Sequence, residues 1–192
     1  MKRRVLMIGI AMGLIGQIAG QSRSYLNPKT GLAVLRLSDE NSFNDDLRYY
    51  GHTYGVDGIV EEANFFLMAG LHYQRVALEG SASGTPFAQR ENFHQLHVPV
   101  HLGVSVPGDG HWWALRAYAG GHVHAVFAVD DNTSGLDLDQ VTGFNPGWQL
   151  GIQAMLRPVT LDLQAVWSGR KFIVARPESR FRGVMILAGI LF

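Results

Sequence analysis

Cysteine is absent from the 192 residues, which excludes a disulfide framework and an N-terminal lipoprotein anchor. Lysine is almost absent too, occurring only at Lys2, Lys29 and Lys171. A soluble domain normally covers its water-facing strands with Lys and Glu, so this shortage argues against an ordinary hydrated exterior. Long apolar runs are missing beyond the first residues, so any membrane crossing by the rest of the chain must be made by strands. No basic patch interleaved with aromatics occurs, which argues against nucleic acid as a partner.

The N-terminus is the exception to this pattern. Met1-Lys-Arg-Arg4 is a basic segment, and Val5–Gly16 (VLMIGIAMGLIG) is uncharged and apolar but shorter than the ~18 residues of a spanning helix. The two together predict an export signal over residues 1–20, cut near Gln21, with residues 21–192 as a single domain. Formal net charge is zero for the whole sequence. Loss of Lys2, Arg3 and Arg4 leaves 13 basic residues against 16 acidic, a mildly acidic domain at −3.

In that domain the periodicity is two. Leu96, Val98, Val100, Leu102, Val104 and Val106 alternate with Gln95, His97, Pro99, His101, Gly103 and Ser105. Val159–Ser168 and Gly147–Leu156 alternate in the same way. Weaker versions at Gly31–Ser38, Tyr50–Val60, Asn64–Leu78, Trp112–Phe127 and Phe181–Phe192 bring the number of strands to about eight. Long polar connections (Asp39–Tyr49, Glu79–Glu91, Ala128–Gly143, Gly169–Arg180) alternate with short ones (Glu61–Ala63, Pro107–Gly110, Arg157–Pro158). This order predicts an all-β fold: a closed antiparallel up-and-down transmembrane β-barrel with long extracellular loops and short periplasmic turns. Lys29 and Lys171 fall outside every strand so defined. Aromatics sit near both strand ends, with Phe65, Trp113 and Phe192 on the turn side and Tyr73, Phe127, Trp148 and Trp167 on the loop side, as interfacial girdles would.

The face opposite the apolar one carries small or hydrogen-bonding residues suited to a crowded lumen: His72, Gln95, His97, His101, Arg116, His122, His124, Asp162 and Gln164. His122 and His124 fall on one strand face, and the short Pro107–Gly110 turn would bring His97 diagonally beside His122. Neutral imidazoles so grouped suit zinc or copper, yet no Cys and no H-E-x-x-H spacing accompanies them. The reading preferred from the sequence is therefore a network in which histidines bond to Gln95, Asp162 and Gln164, with no metal and no cofactor. Pro99 interrupts a strand and predicts a bulge at that point, since proline cannot donate to a ladder. No G-x-S-x-G elbow or matched nucleophile and base appears, so no catalytic residue is assigned. Asp130, Asp131, Asp137 and Asp139 make one loop acidic, but the segment lacks the glycine and glutamate of an EF-hand loop and reads as solvated.

Several stretches also resemble the PorT-like outer-membrane β-barrel proteins of Bacteroidetes. NFHQLHVPVHLGVSV (Asn92–Val106), with Val98-Pro99-Val100, resembles a family strand in which proline follows an aliphatic residue. Asn64–Gly80, with Tyr73 and Gln74, resembles the strand before it, and His111–His124 the strand after it. The family's glycine-rich opening strand is reduced here to Gly31–Ser38, and Met155-Leu156-Arg157 replaces its usual tyrosine-arginine. The resemblance covers essentially residues 21–192. It implies the outer membrane of a Gram-negative bacterium and the fold, without a shared reaction; one branch of the family supports a secretion apparatus. The terminal VMILAGILF, ending on Phe192, resembles the strand that the barrel assembly machinery recognises. Expected partners are outer-membrane lipid, that machinery, and an extracellular or envelope protein met through the long loops. The expected role is structural, adhesive or assembly- and secretion-supporting. A narrow passive porin and a soluble periplasmic lipocalin-like carrier are the alternatives.

Overall fold

The computed structural model describes residues 22–38, 48–79, 90–108, 112–130, 138–172 and 180–192. The export signal read in residues 1–20 lies outside the described residues, as do Asp131 and Asp137 of the acidic loop. The described residues form eight strands: β1 (Arg23–Ser38), β2 (Arg48–Glu62), β3 (Phe65–Glu79), β4 (Arg90–Pro107), β5 (Trp113–Val129), β6 (Phe144–Leu156), β7 (Val159–Ser168) and β8 (Arg180–Ile190). Each pairs antiparallel with the next, and β1 pairs with β8, so the sheet closes into an up-and-down barrel without a crossover. Even the shortest strand, β7 with 10 residues, has the ~9–11 residues a tilted membrane-crossing strand needs. No helix among the described residues is long and apolar enough to cross a membrane.

The alternation read from the sequence becomes an inside and an outside of inverted polarity. Leu96, Val98, Val100, Leu102, Val104 and Val106 on β4, and Trp148, Leu150, Ile152 and Leu156 on β6, are exposed on the barrel wall. The residues that alternate with them point inward and are buried, apart from the half-buried Gly103 and Gly151. A soluble carrier has the opposite distribution, with a hydrated wall around an apolar pocket. Exposed aromatics mark both ends: Phe65, Trp112 and Phe192 at the turn side, and Phe127, Phe144, Trp148 and Trp167 at the loop side. At the turn side the short connections are tied to their neighbours, by Asn64 O to Ser105 N (2.7 Å), Trp112 O to Arg157 N (2.9 Å) and Pro158 O to Leu191 N (2.7 Å). Ala63 takes a left-handed conformation (φ 52) in the tight β2–β3 turn.

The structure corrects two expectations. β1 begins at Arg23 rather than Gly31, so Lys29 lies within a strand and faces the lumen, buried to 5% exposure. The two-residue alternation continues backwards through Leu26, Asn27, Pro28, Lys29 and Thr30; the lysine and the proline disguised it. The expected bulge at Pro99 is also displaced. Through Pro99 the β3–β4 register is unbroken, from Ala69 opposite Val100 to His72 opposite His97, with the intervening pairs left out of the ladder. The irregularity lies nearer the loop side, where His94 opposes Ala128 but Gln95 opposes Val126, leaving Phe127 as the extra residue. There Phe127 packs on the rings of Tyr73 and His94 at centroid distances of 6.3 and 6.2 Å. Bulges collect at barrel rims because the strand can bend there without opening the sheet.

Candidate functional site

The lumen is filled in three layers, each set by the inward residues of successive strands. Toward the turns, Ile59, Phe66, Met68, Ala114, Tyr118, Met155 and Leu191 form an apolar cluster. The rings of Phe66 and Tyr118 fit because Gly103 and Gly151 stand beside them on the neighbouring strands. A Cβ at either glycine would run into those rings. Toward the loops a second apolar cluster, including Leu35, Val76, Phe93, Val166, Phe172, Phe181 and Met185, caps the interior.

Between them lies the polar layer, centred on Lys29. Its Nζ lies 2.6 Å from Asp57 Oδ2 and 2.6 Å from Asp162 Oδ2, and all three side chains are at most 1% exposed. One ammonium thus faces two carboxylates, a formal excess of one negative charge that neutral groups help to balance. Tyr118 donates its hydroxyl to Asp162 Oδ1 (2.8 Å), Gln153 Nε2 donates to Asp162 Oδ2 (3.0 Å), and His72 Nε2 lies 2.7 Å from Asp57 Oδ1. Arg116 donates to Gln153 Oε1 and Glu61 Oε2, both at 2.8 Å. A continuous chain of contacts therefore runs Glu61–Arg116–Gln153–Asp162–Lys29–Asp57–His72. It ties β2, β5, β6, β7, β1 and β3 together across the interior. Gln164 joins it through the Tyr118 hydroxyl (2.8 Å) and accepts from Gln149.

Beside this chain stands a separate group of histidines. His97 and His124 stack with ring centroids 4.4 Å apart and planes at 15°, while His122 meets both edge-on, 5.2 Å from His97 and 4.7 Å from His124. One ring nitrogen from each of the three lies within 4.8 Å of those of the other two. All three side chains are buried, and among the described residues none of their ring nitrogens has a hydrogen-bond partner. A buried polar atom left unpaired costs about 1–3 kcal/mol, so the arrangement is expensive as it stands. His72 lies next to the group, with its ring centroid 5.5 Å from His97, its Nε2 on Asp57 and its Nδ1 buried and unpaired. His101 packs on the Tyr118 ring instead, at 4.8 Å.

All nine lumen residues expected from the sequence face inward and are buried. They do not form the single network that was expected. Asp162, Gln164 and Arg116 belong to the lysine-centred chain, and Gln95 donates to Gln74 Oε1 (2.8 Å). The bonds from histidines to Gln95, Asp162 and Gln164 are replaced by the His72–Asp57 contact and by the three mutually packed rings. Sequence reasoning missed Lys29 and Asp57, the centre of the layer, together with Tyr118, Gln149 and Gln153. Extending the alternation of β1 past Pro28, and reading Thr53, Gly55, Asp57 and Ile59 as one face of β2, would have found the ion pair.

On the outer wall at the loop-side rim, Asp130 closes a smaller chain. His94 Nε2 lies 2.7 Å from Asp130 Oδ1, His94 Nδ1 lies 2.5 Å from the Tyr73 hydroxyl, and Arg75 donates to Asp130 Oδ2 at 3.0 Å. The His94 contact, seconded by Arg75, holds the Asp130 carboxyl below its usual range. The chain braces the bulge at Phe127. It also engages Asp130, the first aspartate of the acidic segment, which follows the end of β5.

No protein-family model matches the sequence, and no curated protein does. Solved structures that match this chain include the following three. The outer membrane enzyme PagL aligns at 12% identity over 85% of this chain and 98% of its own, with a TM-score of 0.51. Ail, the attachment invasion locus protein of Yersinia pestis, solved with the heparin analogue sucrose octasulfate, aligns at 11% identity over 88% of this chain and 99% of its own, with a TM-score of 0.46. Neisserial surface protein A aligns at 8% identity over 90% of this chain and all of its own (100%), also with a TM-score of 0.46. At these identities the likeness is one of fold.

Proposed function

We propose that the chain is a small outer-membrane barrel of a Gram-negative bacterium, a plugged and rigid cylinder that holds its long loops outside the cell in a structural, adhesive or assembly- and secretion-supporting role. The observation that carries this reading is the buried Lys29 clamped between Asp57 and Asp162, with an apolar layer on either side. A conducting pore needs a hydrated path, and here side chains from non-adjacent strands, β1 with β7 and β2 with β5, bond across the interior instead. The exposed apolar wall supports lipid as the surrounding medium, and the exposed aromatics at both ends fit the two interfaces. The likeness of the strand order to PorT-like proteins supports the same placement, and delivery by the barrel assembly machinery through β8 and Phe192 follows from it. The long connections supply the surface for an extracellular or envelope partner.

Two measurements test this. The protein should fractionate with outer membranes, and recovery in the soluble periplasm would favour the carrier. Reconstituted in planar bilayers, it should show no large stable conductance; steps like those of a general porin would show that the lysine-centred plug is not closed.

A further inference from the structure

We propose that His97, His122 and His124 form a binding site for a zinc-class divalent transition ion inside the barrel. Adjacent strands β4 and β5 present the three rings to one point in the lumen, with a ring nitrogen from each within 4.8 Å of the others. Their exposures are 0%, 4% and 0%, and among the described residues no group bonds to any of their six nitrogens. A lumen evolved only to fill space would carry apolar side chains here, as the layer just above does with Phe181 packed edge-on against His124 at 5.0 Å. Metal coordination is what would satisfy three converging imidazoles at once.

The donor chemistry selects the class of ion. Three neutral nitrogen ligands without a carboxylate suit zinc, copper or nickel, and they disfavour calcium and magnesium, which need oxygen donors. His72 stands beside the site, its ring centroid 5.5 Å from that of His97. Its Nε2 rests on Asp57, which fixes the ring and leaves Nδ1 free, the carboxylate–histidine arrangement that orients metal ligands. Its Nδ1 or a water would complete a tetrahedron. The formal negative excess of Lys29, Asp57 and Asp162 next to the site favours a cation there. The separations are those of an open site: zinc bonds of ~2.0–2.1 Å bring ligand nitrogens to about 3.4 Å of one another. Coordination therefore draws the rings together and turns His97 or His124 out of their parallel stack.

The test uses the full-length barrel without an affinity tag, unfolded in urea with chelator and refolded into detergent in the presence of zinc. Refolding is used because apolar layers seal the lumen. After dialysis, stoichiometric zinc with a first coordination shell dominated by imidazole nitrogen, read by X-ray absorption at the zinc edge, is expected. His97→Gln and His124→Gln should each weaken binding by at least about 100-fold, since even changes to the groups behind metal ligands cost 10–100-fold. His52→Gln, on the exposed face of β2, should bind as the parent does. Background zinc in the parent, an oxygen-dominated shell, or undiminished zinc in the His97 and His124 variants would overturn the proposal. The absorption spectrum of the parent decides the matter even where those variants fail to fold.

Discussion

Replacing Lys29 with methionine is expected to lower the unfolding free energy by about 3–5 kcal/mol, the usual cost of removing one partner from a buried ion pair. The variant would leave Asp57 and Asp162 facing each other at 1% and 0% exposure without a cation between them. Tyr118, Gln153 and His72 would still donate to the two carboxylates, but neutral donors do not cancel a second buried charge. Urea titration in detergent or lipid, followed by tryptophan fluorescence or by heat-modifiable gel mobility, measures the loss. Adding Asp57→Asn and Asp162→Asn to Lys29→Met should recover most of it, because neutral side chains of similar volume remove the repulsion as well as the attraction. A Lys29→Met protein within about 0.5 kcal/mol of the parent, the range of an indifferent surface change, would show that the ion pair does not hold the lumen together.

Lys29 also shows where the sequence could be read and where it could not. Periodicity of two located seven of the eight strands closely, because an inward polar and an outward apolar residue alternate regardless of what either touches. The same rule missed the first half of β1, since a lysine inside a strand looks like an error until two aspartates on β2 and β7 are known to lie across from it. Those aspartates are 28 and 133 residues away in sequence from Lys29, and only closure of the barrel brings them together. The histidines divide in the same way. Their inward direction follows from alternation on β3, β4 and β5, but their choice of one another over Gln95, Asp162 and Gln164 depends on depth along the axis. Depth is set by the stagger between strands, for which the sequence carries no local signal. The position of the bulge is another such case. Proline marks a place where a ladder bond is lost, whereas the extra residue is absorbed where Tyr73, His94 and Phe127 can pack together outside the wall.

The exterior offers the second large effect, and it separates a membrane barrel from a soluble one. Val100 sits in the middle of the outward run Leu96, Val98, Val100, Leu102, Val104 and Val106, and is 50% exposed on the wall. In lipid, Val100→Arg places a charge near the bilayer midplane and should destabilise the folded barrel by ~2–4 kcal/mol, whereas Val106→Arg, at the turn-side end of the same run, should cost ~0–1 kcal/mol. The gradient matters more than either value. In water both arginines would be solvated equally, so a soluble barrel would show two small and similar effects together with improved solubility. Both variants keep the inward face unchanged and leave the Lys29 chain intact, so the comparison isolates the surrounding medium from the packing of the lumen. Unfolding titrations in phospholipid vesicles and then in detergent micelles give the two numbers for each variant. Equal losses at Val100 and Val106 in vesicles would remove the hydrocarbon from the explanation of this wall. A loss that falls toward the strand end identifies the apolar band as the depth-dependent contact with lipid that its residues imply.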